Sequence, residues 1–186
     1  MSMEFLMFFG QSREQRHALQ QSRTRLYRMA YAWCHNAALA DDLAQEALTK
    51  ALRKAGQLRD PKARDAWLFS ILANCYRDHF RRQRDMDDVD DLELHDETTP
   101  ESCSSQQEIV VMVRAAIAKL PEGQRQVMTL VDLEGFSYVE VARILDVPIG
   151  TVMSRLCRAR NALRELLAPE RERKTGSQGV TLRRVK

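Results

Sequence analysis

Ser137-Tyr138-Val139-Glu140-Val141-Ala142-Arg143-Ile144-Leu145-Asp146-Val147-Pro148-Ile149-Gly150-Thr151-Val152-Met153-Ser154-Arg155-Leu156-Cys157-Arg158 reads as two short helices joined by a tight turn. Ser137 is a favoured N-cap, and Glu140, three positions on, completes a capping box. Val141, Ala142 and Leu145 define an inward face, and the small Ala142 lets a second helix approach closely. Asp146-Val147 is the turn, with Val147 directed into the core. Asp146 stands where Gly with positive φ is common; Asp tolerates that conformation less well than Gly but better than most residues. Pro148 suits a first helical position. Val152 and Leu156, four apart, point inward, which leaves Thr151, Ser154, Arg155 and Arg158 outside. These side chains can donate hydrogen bonds to phosphates and base edges, as a recognition helix in a major groove requires. Residues 137–158 therefore have the layout of a helix-turn-helix. Met153 departs from it, an apolar residue at an outward position where a polar one reads DNA more readily. Because lookalike helix pairs occur in bundles that bind nothing, the rest of the chain must decide.

Around this motif the apolar spacing stays helical. Ile109, Val113, Ile117 and Leu120 mark a helix stopped by Pro121, and a second helix runs from Glu122 to about Leu133. Glu134-Gly135-Phe136 is a turn, and the last helix runs from Pro148 to about Leu167. Together they make a helical domain over 106–168. The tail, 169–186, is polar and basic and is expected to lack fixed structure. Further towards the N-terminus, Leu19, Leu26, Tyr27, Ala30 and Trp33 stripe a helix over 11–35. Leu39, Leu43, Ala47, Leu48, Ala51 and Leu52 stripe a second, stopped by Gly56. A basic loop over 56–64 leads into a third, from about Asp65 to Arg84. Trp67, Leu68, Ile71, Leu72, Cys75, His79 and Phe80 form its apolar face, which makes Trp67 and Phe80 core residues rather than stacking platforms. These helices make a second domain over 1–85.

Charge separates the two domains. Residues 1–85 carry 15 Lys/Arg against 9 Asp/Glu, and residues 106–186 carry 14 against 9. Between them, 86–105 carries 8 acids and no Lys or Arg. Such a strip cannot bury enough apolar surface to order itself and reads as a linker. Basic blocks attract polyanions, although each alone is also an ordinary solvated surface.

Gly and Pro are few, 7 and 5, and aromatics are 6% of the chain, which suits long helices better than a turn-rich β fold. The expected fold class is all-α. Cys34, Cys75, Cys103 and Cys157 form no CxxC pair and read as reduced thiols; Cys34-His35 alone is too little for a metal site. Neither a metal nor a cofactor is expected. The apolar start, Met1 to Phe9, is too short to span a bilayer and lacks the basic flank of a secretion signal. No membrane insertion is expected, and the location is read as cytoplasmic. There is no glycine-rich nucleotide loop, no HExxH and no serine elbow, and His17, His35, His79 and His95 lie in unrelated segments. An enzyme is the least favoured class.

Three stretches, Leu120 to Arg125, Glu134 to Ala142 and Pro148 to Arg160, resemble the sigma-4 domain of extracytoplasmic-function sigma factors. Ala40-Asp41-Asp42-Leu43-Ala44-Gln45-Glu46 resembles the core-binding motif of their sigma-2 domain. Ala66 to Asn74 resembles the start of that domain's promoter-facing helix. The resemblance covers roughly 20–167 in order and spacing. It implies an alternative sigma factor, without catalysis of its own, that binds core RNA polymerase and directs it to promoters.

The resemblance also implies roles for residues. Asp42, Gln45 and Glu46 share one helix face and would accept hydrogen bonds from arginines of the polymerase β′ clamp helices; the β flap is a second expected contact. Arg59, Lys62 and Arg64, with Asn74, Arg77, Asp78 and Arg81, would meet the −10 element, where the family melts DNA and captures a flipped base. Thr151, Ser154, Arg155 and Arg158 would meet the −35 element, while Arg160 and Arg164 add charge alone. An anti-sigma factor is an expected partner. The acidic linker is a tether, a repellent of non-specific DNA or a nucleic-acid mimic in the polymerase channel; composition does not choose among these. A polymerase-independent helix-turn-helix regulator, oligomeric and bound to a palindrome, is the alternative class.

Overall fold

The computed structural model describes residues 13–54, 58, 60–86 and 105–176. Seven α-helices and no strand are present among them: α1 (Arg13–Cys34), α2 (Ala37–Arg53), α3 (Arg64–Met86), α4 (Ser105–Ala118), α5 (Glu122–Met128), α6 (Tyr138–Leu145) and α7 (Ile149–Gly176). Arg59, residues 87–104 of the acidic linker, the apolar start and the last ten residues of the basic tail lie outside the described residues.

Local chemistry sets the helix ends. His35 ends α1 in a left-handed conformation (φ 53°), its N–H bonded to the Tyr31 carbonyl at 2.8 Å. Asn36 then caps α2, its side chain accepting from the Leu39 N–H at 2.9 Å. The Cys34 thiol donates to the Asn36 carbonyl (3.3 Å), a structural use of that cysteine. Pro61–Ala63 form one 3₁₀ turn ahead of α3. Arg125 donates to the Ala118 carbonyl at 2.9 Å, placing a cation at the end of α4.

α1, α2 and α3 pack into one bundle, and α4 to α7 into another. Leu26, Ala30, Trp33, Leu43, Ala47, Leu72 and Cys75 fill the first; Val127, Leu130, Val141, Ile144, Val152, Leu156 and Ala159 fill the second. The bundles also dock on each other, chiefly through α3 against α6 and α1 against α4 and α5. The buried indole of Trp33 donates to the Thr129 hydroxyl at 2.9 Å. Phe69 meets Phe136 edge to face at 5.2 Å between ring centres. Arg25 lies 5.4 Å above the Phe69 ring, bonds Asp65 at 2.6 Å and reaches Glu134 of the other bundle at 2.7 Å.

Four sequence expectations need correction. The helix expected over 122–133 is α-helical only to Met128, and Thr129–Leu133 widen into a π turn. The Thr129 hydroxyl donates back to the carbonyls of Arg125 and Gln126 (2.8 and 3.1 Å) while accepting from Trp33. Such back-bonding bends a helix, and here a contact from the other bundle holds it. The last helix passes Pro169 and continues to Gly176, so the first residues of the tail are helical. Trp67 and Phe80 are half-buried at the edge of the core, with Phe80 4.6 Å from the Tyr76 ring and 5.2 Å from that of His79. Leu52, placed on the inward stripe of α2, is exposed.

Candidate polymerase and promoter interface

The helix-turn-helix forms as its residues dictate. Ser137 caps α6 and closes the capping box, its N–H donating to the Glu140 carboxylate at 2.8 Å and its hydroxyl at 2.6 Å. The Ser137 hydroxyl and then its backbone N–H hold the Glu140 carboxyl below the usual glutamate range. Asp146 turns the chain in the left-handed region (φ 55°, ψ 53°). Val147 donates its N–H back to the Ala142 carbonyl (3.0 Å) and is half-buried rather than fully interior. Val152, Leu156, Ala159 and Leu163 then seat α7 in the bundle.

The outward face of α7 is partly pre-arranged. Ser154 and Arg158 are exposed and bonded together: the Arg158 guanidinium donates to the Ser154 carbonyl and hydroxyl, both at 3.3 Å. Thr151 is half-buried, its carbonyl accepting from the Ser154 hydroxyl at 3.1 Å. Arg155 is drawn inward, and its guanidinium lies across Gly123, so a Cβ at Gly123 would stand 3.0 Å from Cζ. Arg160 is not a loose charge: it makes a two-pronged pair with Asp132 (2.6 and 3.2 Å). Arg164 donates to Asn161 at 3.0 Å.

On α3, Asn74, Arg77 and Arg81 are exposed and Asp78 is half-buried. Arg77 bonds Asn74 at 3.3 Å, and Arg81 pairs with Asp78 at 3.4 Å. Arg77 also donates to the Leu145 carbonyl of the helix-turn-helix at 2.8 Å. One candidate −10 residue is therefore engaged by the candidate −35 module. Lys62, in the turn ahead of α3, and Arg64, the first residue of α3, are exposed, and Arg64 lies 3.4 Å from Asp65.

On α2, Asp42 and Gln45 are exposed and Glu46 is half-buried, all on one face. Gln45 donates its amide N–H to Asp41 at 3.0 Å, which leaves its oxygen as an acceptor. Glu46 pairs with Lys50 at 2.8 Å and Asp41 with Arg23 at 2.5 Å. The face offers oxygens to an incoming arginine, the more so because Asp42 has no ion pair among the described residues.

Two contacts escape sequence reasoning. Gly123 lies inside a helix with no left-handed angle to explain it; only the approach of Arg155 does. Arg25 joins Asp65 and Glu134, which are 40 and 109 positions away, a distance no local pattern spans.

An all-helical fold with a capped helix-turn-helix and an exposed Ser-Arg face has the layout of a DNA-binding protein of the helix-turn-helix class. Comparison with known proteins narrows this. The family pattern "Sigma-70 region 2" matches residues 19–86 and "Sigma-70, region 4" matches 110–163. The chain is 38% identical over 147 residues to RNA polymerase sigma-H factor of Pseudomonas aeruginosa, covering 73% of this chain and 76% of that one. It is 38% identical over 133 residues to ECF RNA polymerase sigma factor EcfG of Rhodopseudomonas palustris, covering 71% and 73%. Among solved structures, the sigma factor RpoE of Bartonella quintana, crystallised with the anti-sigma factor NepR, superposes with a TM-score of 0.68. That match has 29% identity and covers 84% of this chain and 98% of that one. The chain belongs to the extracytoplasmic-function sigma factors of the sigma-70 family, the subunits that direct RNA polymerase to promoters. No helix among the described residues is long and apolar enough to cross a membrane.

Proposed function

We propose that the faces built on α2, α3 and α7 divide the work of promoter recognition. Asp42, Gln45 and Glu46 present oxygens to arginines of the polymerase β′ clamp helices. Lys62, Arg64, Asn74, Arg77, Asp78 and Arg81, with Arg59 outside the described residues, meet the −10 element and assist melting. Thr151, Ser154, Arg155 and Arg158 meet the −35 element, and the β flap holds the second domain in place. The chain works in the cytoplasm beside the polymerase, and an anti-sigma protein holds it inactive. The similar RpoE, crystallised in complex with the anti-sigma factor NepR, supports a partner of that kind.

The observation that carries this reading is the exposed, internally bonded Ser154–Arg158 pair on the outward face of α7. An arginine fixed in orientation by a neighbouring hydroxyl has already lost part of the rotamer freedom that binding would cost.

The docked arrangement also accounts for dependence on polymerase. Elements named for positions −35 and −10 lie about 25 base pairs apart, on the order of 85 Å of duplex. With Arg77 bonded to the Leu145 carbonyl, the two reading modules cannot occupy sites that far apart. Polymerase must separate them and hold the spacing, so the free chain binds promoter DNA weakly and the holoenzyme binds it specifically. The test is transcription by core polymerase on a pool of promoter fragments, with and without this protein. Protein-dependent start sites sharing −35 and −10 sequences are expected. Equal sequence-specific affinity of the isolated protein at controlled salt would overturn the polymerase dependence.

A further inference from the structure

The recognition helix carries two exposed strips side by side. Gly150, Ser154 and Arg158 recur every four residues, and so do Ile149, Met153 and Cys157. Residues four apart on a helix are neighbours on its surface. The first strip is polar and bonded within itself. The second is apolar and open: Met153 is 54% exposed and Ile149 45%, with Cys157 exposed beyond them. Burial of α7 is carried by Val152, Leu156, Ala159 and Leu163, so the fold does not require a large apolar group at Met153. A major groove offers donors and acceptors on every base pair, and one apolar feature, the C5-methyl of thymine.

We propose that Met153, with Cys157 one turn on, reads a thymine of the −35 element by packing against its C5-methyl, beside the base met by Arg158. The proposal rests on the role given above to α7 and adds the base that its apolar strip selects. An unbranched thioether adapts its shape to such a contact. Met153 thus contributes a preference for one base, whereas the arginines contribute affinity for any phosphate backbone.

The experiment uses the full-length chain with core polymerase on a promoter obtained by protein-dependent transcription. Each −35 thymine is replaced singly by deoxyuridine, which removes only the methyl, and promoter occupancy is measured for wild type, Met153→Ala and Met153→Leu. At one position the wild-type holoenzyme loses about fourfold in affinity, the worth of one buried methyl. Met153→Leu keeps most of that penalty, and Met153→Ala reduces it to less than half. Indifference of every −35 thymine to methyl removal overturns the proposal. So does a penalty unchanged in Met153→Ala. A loss in Met153→Ala that is equal on thymine and uracil promoters overturns it too and assigns the strip to a protein contact. If a competent core gives no protein-dependent transcript at all, the promoter-recognition reading fails, and the proposal falls with it.

Discussion

Asp146 holds the turn of the helix-turn-helix in a conformation that L-residues avoid. Asp146→Gly should therefore raise stability, by up to about 1 kcal/mol, and Asp146→Val should lower it by about 1–2 kcal/mol, because a branched Cβ suffers most there. Thermal unfolding checks both. Gly123 has the opposite character. The atoms nearest an added methyl belong to the far end of the Arg155 side chain, which can swing outward, while Ala costs less backbone entropy than Gly in the first turn of α5, by less than the roughly 0.5–1 kcal/mol of a helix interior. Gly123→Ala should leave stability equal or slightly higher and free Arg155 towards DNA, raising −35-dependent occupancy by the holoenzyme. Arg158→Ala should lower that occupancy by the equivalent of about 1–3 kcal/mol. Here residue type and position told much beforehand: the outward places of Ser154 and Arg158 and the turn at Asp146 follow from spacing. The inward fold of Arg155 did not, because it depends on a glycine in another helix.

Among the helices, α6 is the one whose ends are most fully written in its own residues. Its capping box satisfies N–H groups that a helix start leaves unpaired. Ser137→Ala should lower stability by about 1 kcal/mol, measured by denaturant unfolding. Glu140 adds a pH dependence of known sign. Its folded carboxyl sits below the usual range because the Ser137 hydroxyl and N–H bond the ionised form. The stabilisation is present above the ordinary glutamate range and is lost as pH falls through the depressed folded value. Ser137→Ala should flatten that part of the stability profile. α5 is the counterexample. Nothing in Thr129-Leu130-Val131-Asp132-Leu133 announces a π turn, since the indole that holds Thr129 belongs to Trp33, 96 positions earlier. The overlong α7 was equally hidden, because Pro169 reads locally as a stop.

For the molecule as a whole, the division into two helical bundles was legible in the charge pattern and the apolar periodicities, but their docking was not, because every contact that makes it is long-range. Arg25 is the hinge of that docking. Burial pushes the Asp65 carboxyl up, yet the Arg25 hydrogen bond and charge, with help from Arg64, leave it below the usual range. Asp65 therefore supports the packing of α1 on α3 within the first bundle above the ordinary aspartate range, and this support, which also holds Arg25 in place for Glu134, fades as pH falls through its depressed value. The groups are half-exposed, so solvent screening keeps the effect small. Arg25→Ala should expand the free protein, seen as a larger radius of gyration in solution scattering, and raise its weak DNA binding by releasing Arg77. Thr129→Val should act in the same direction more strongly, because it leaves a buried indole N–H without its acceptor, a loss of about 1–3 kcal/mol.

The same indole makes the chain its own optical gauge. The protein has two tryptophans, Trp33 and Trp67, and Trp33 is fully enclosed while its ring nitrogen touches the opposite bundle. With Trp67→Phe, emission would come from Trp33 alone. Separation of the bundles by polymerase would wet that nitrogen and move the fluorescence to longer wavelength. Clamping by an inhibitory partner that keeps the bundles together would leave the colour unchanged, so one spectrum would distinguish engagement from sequestration without any attached label.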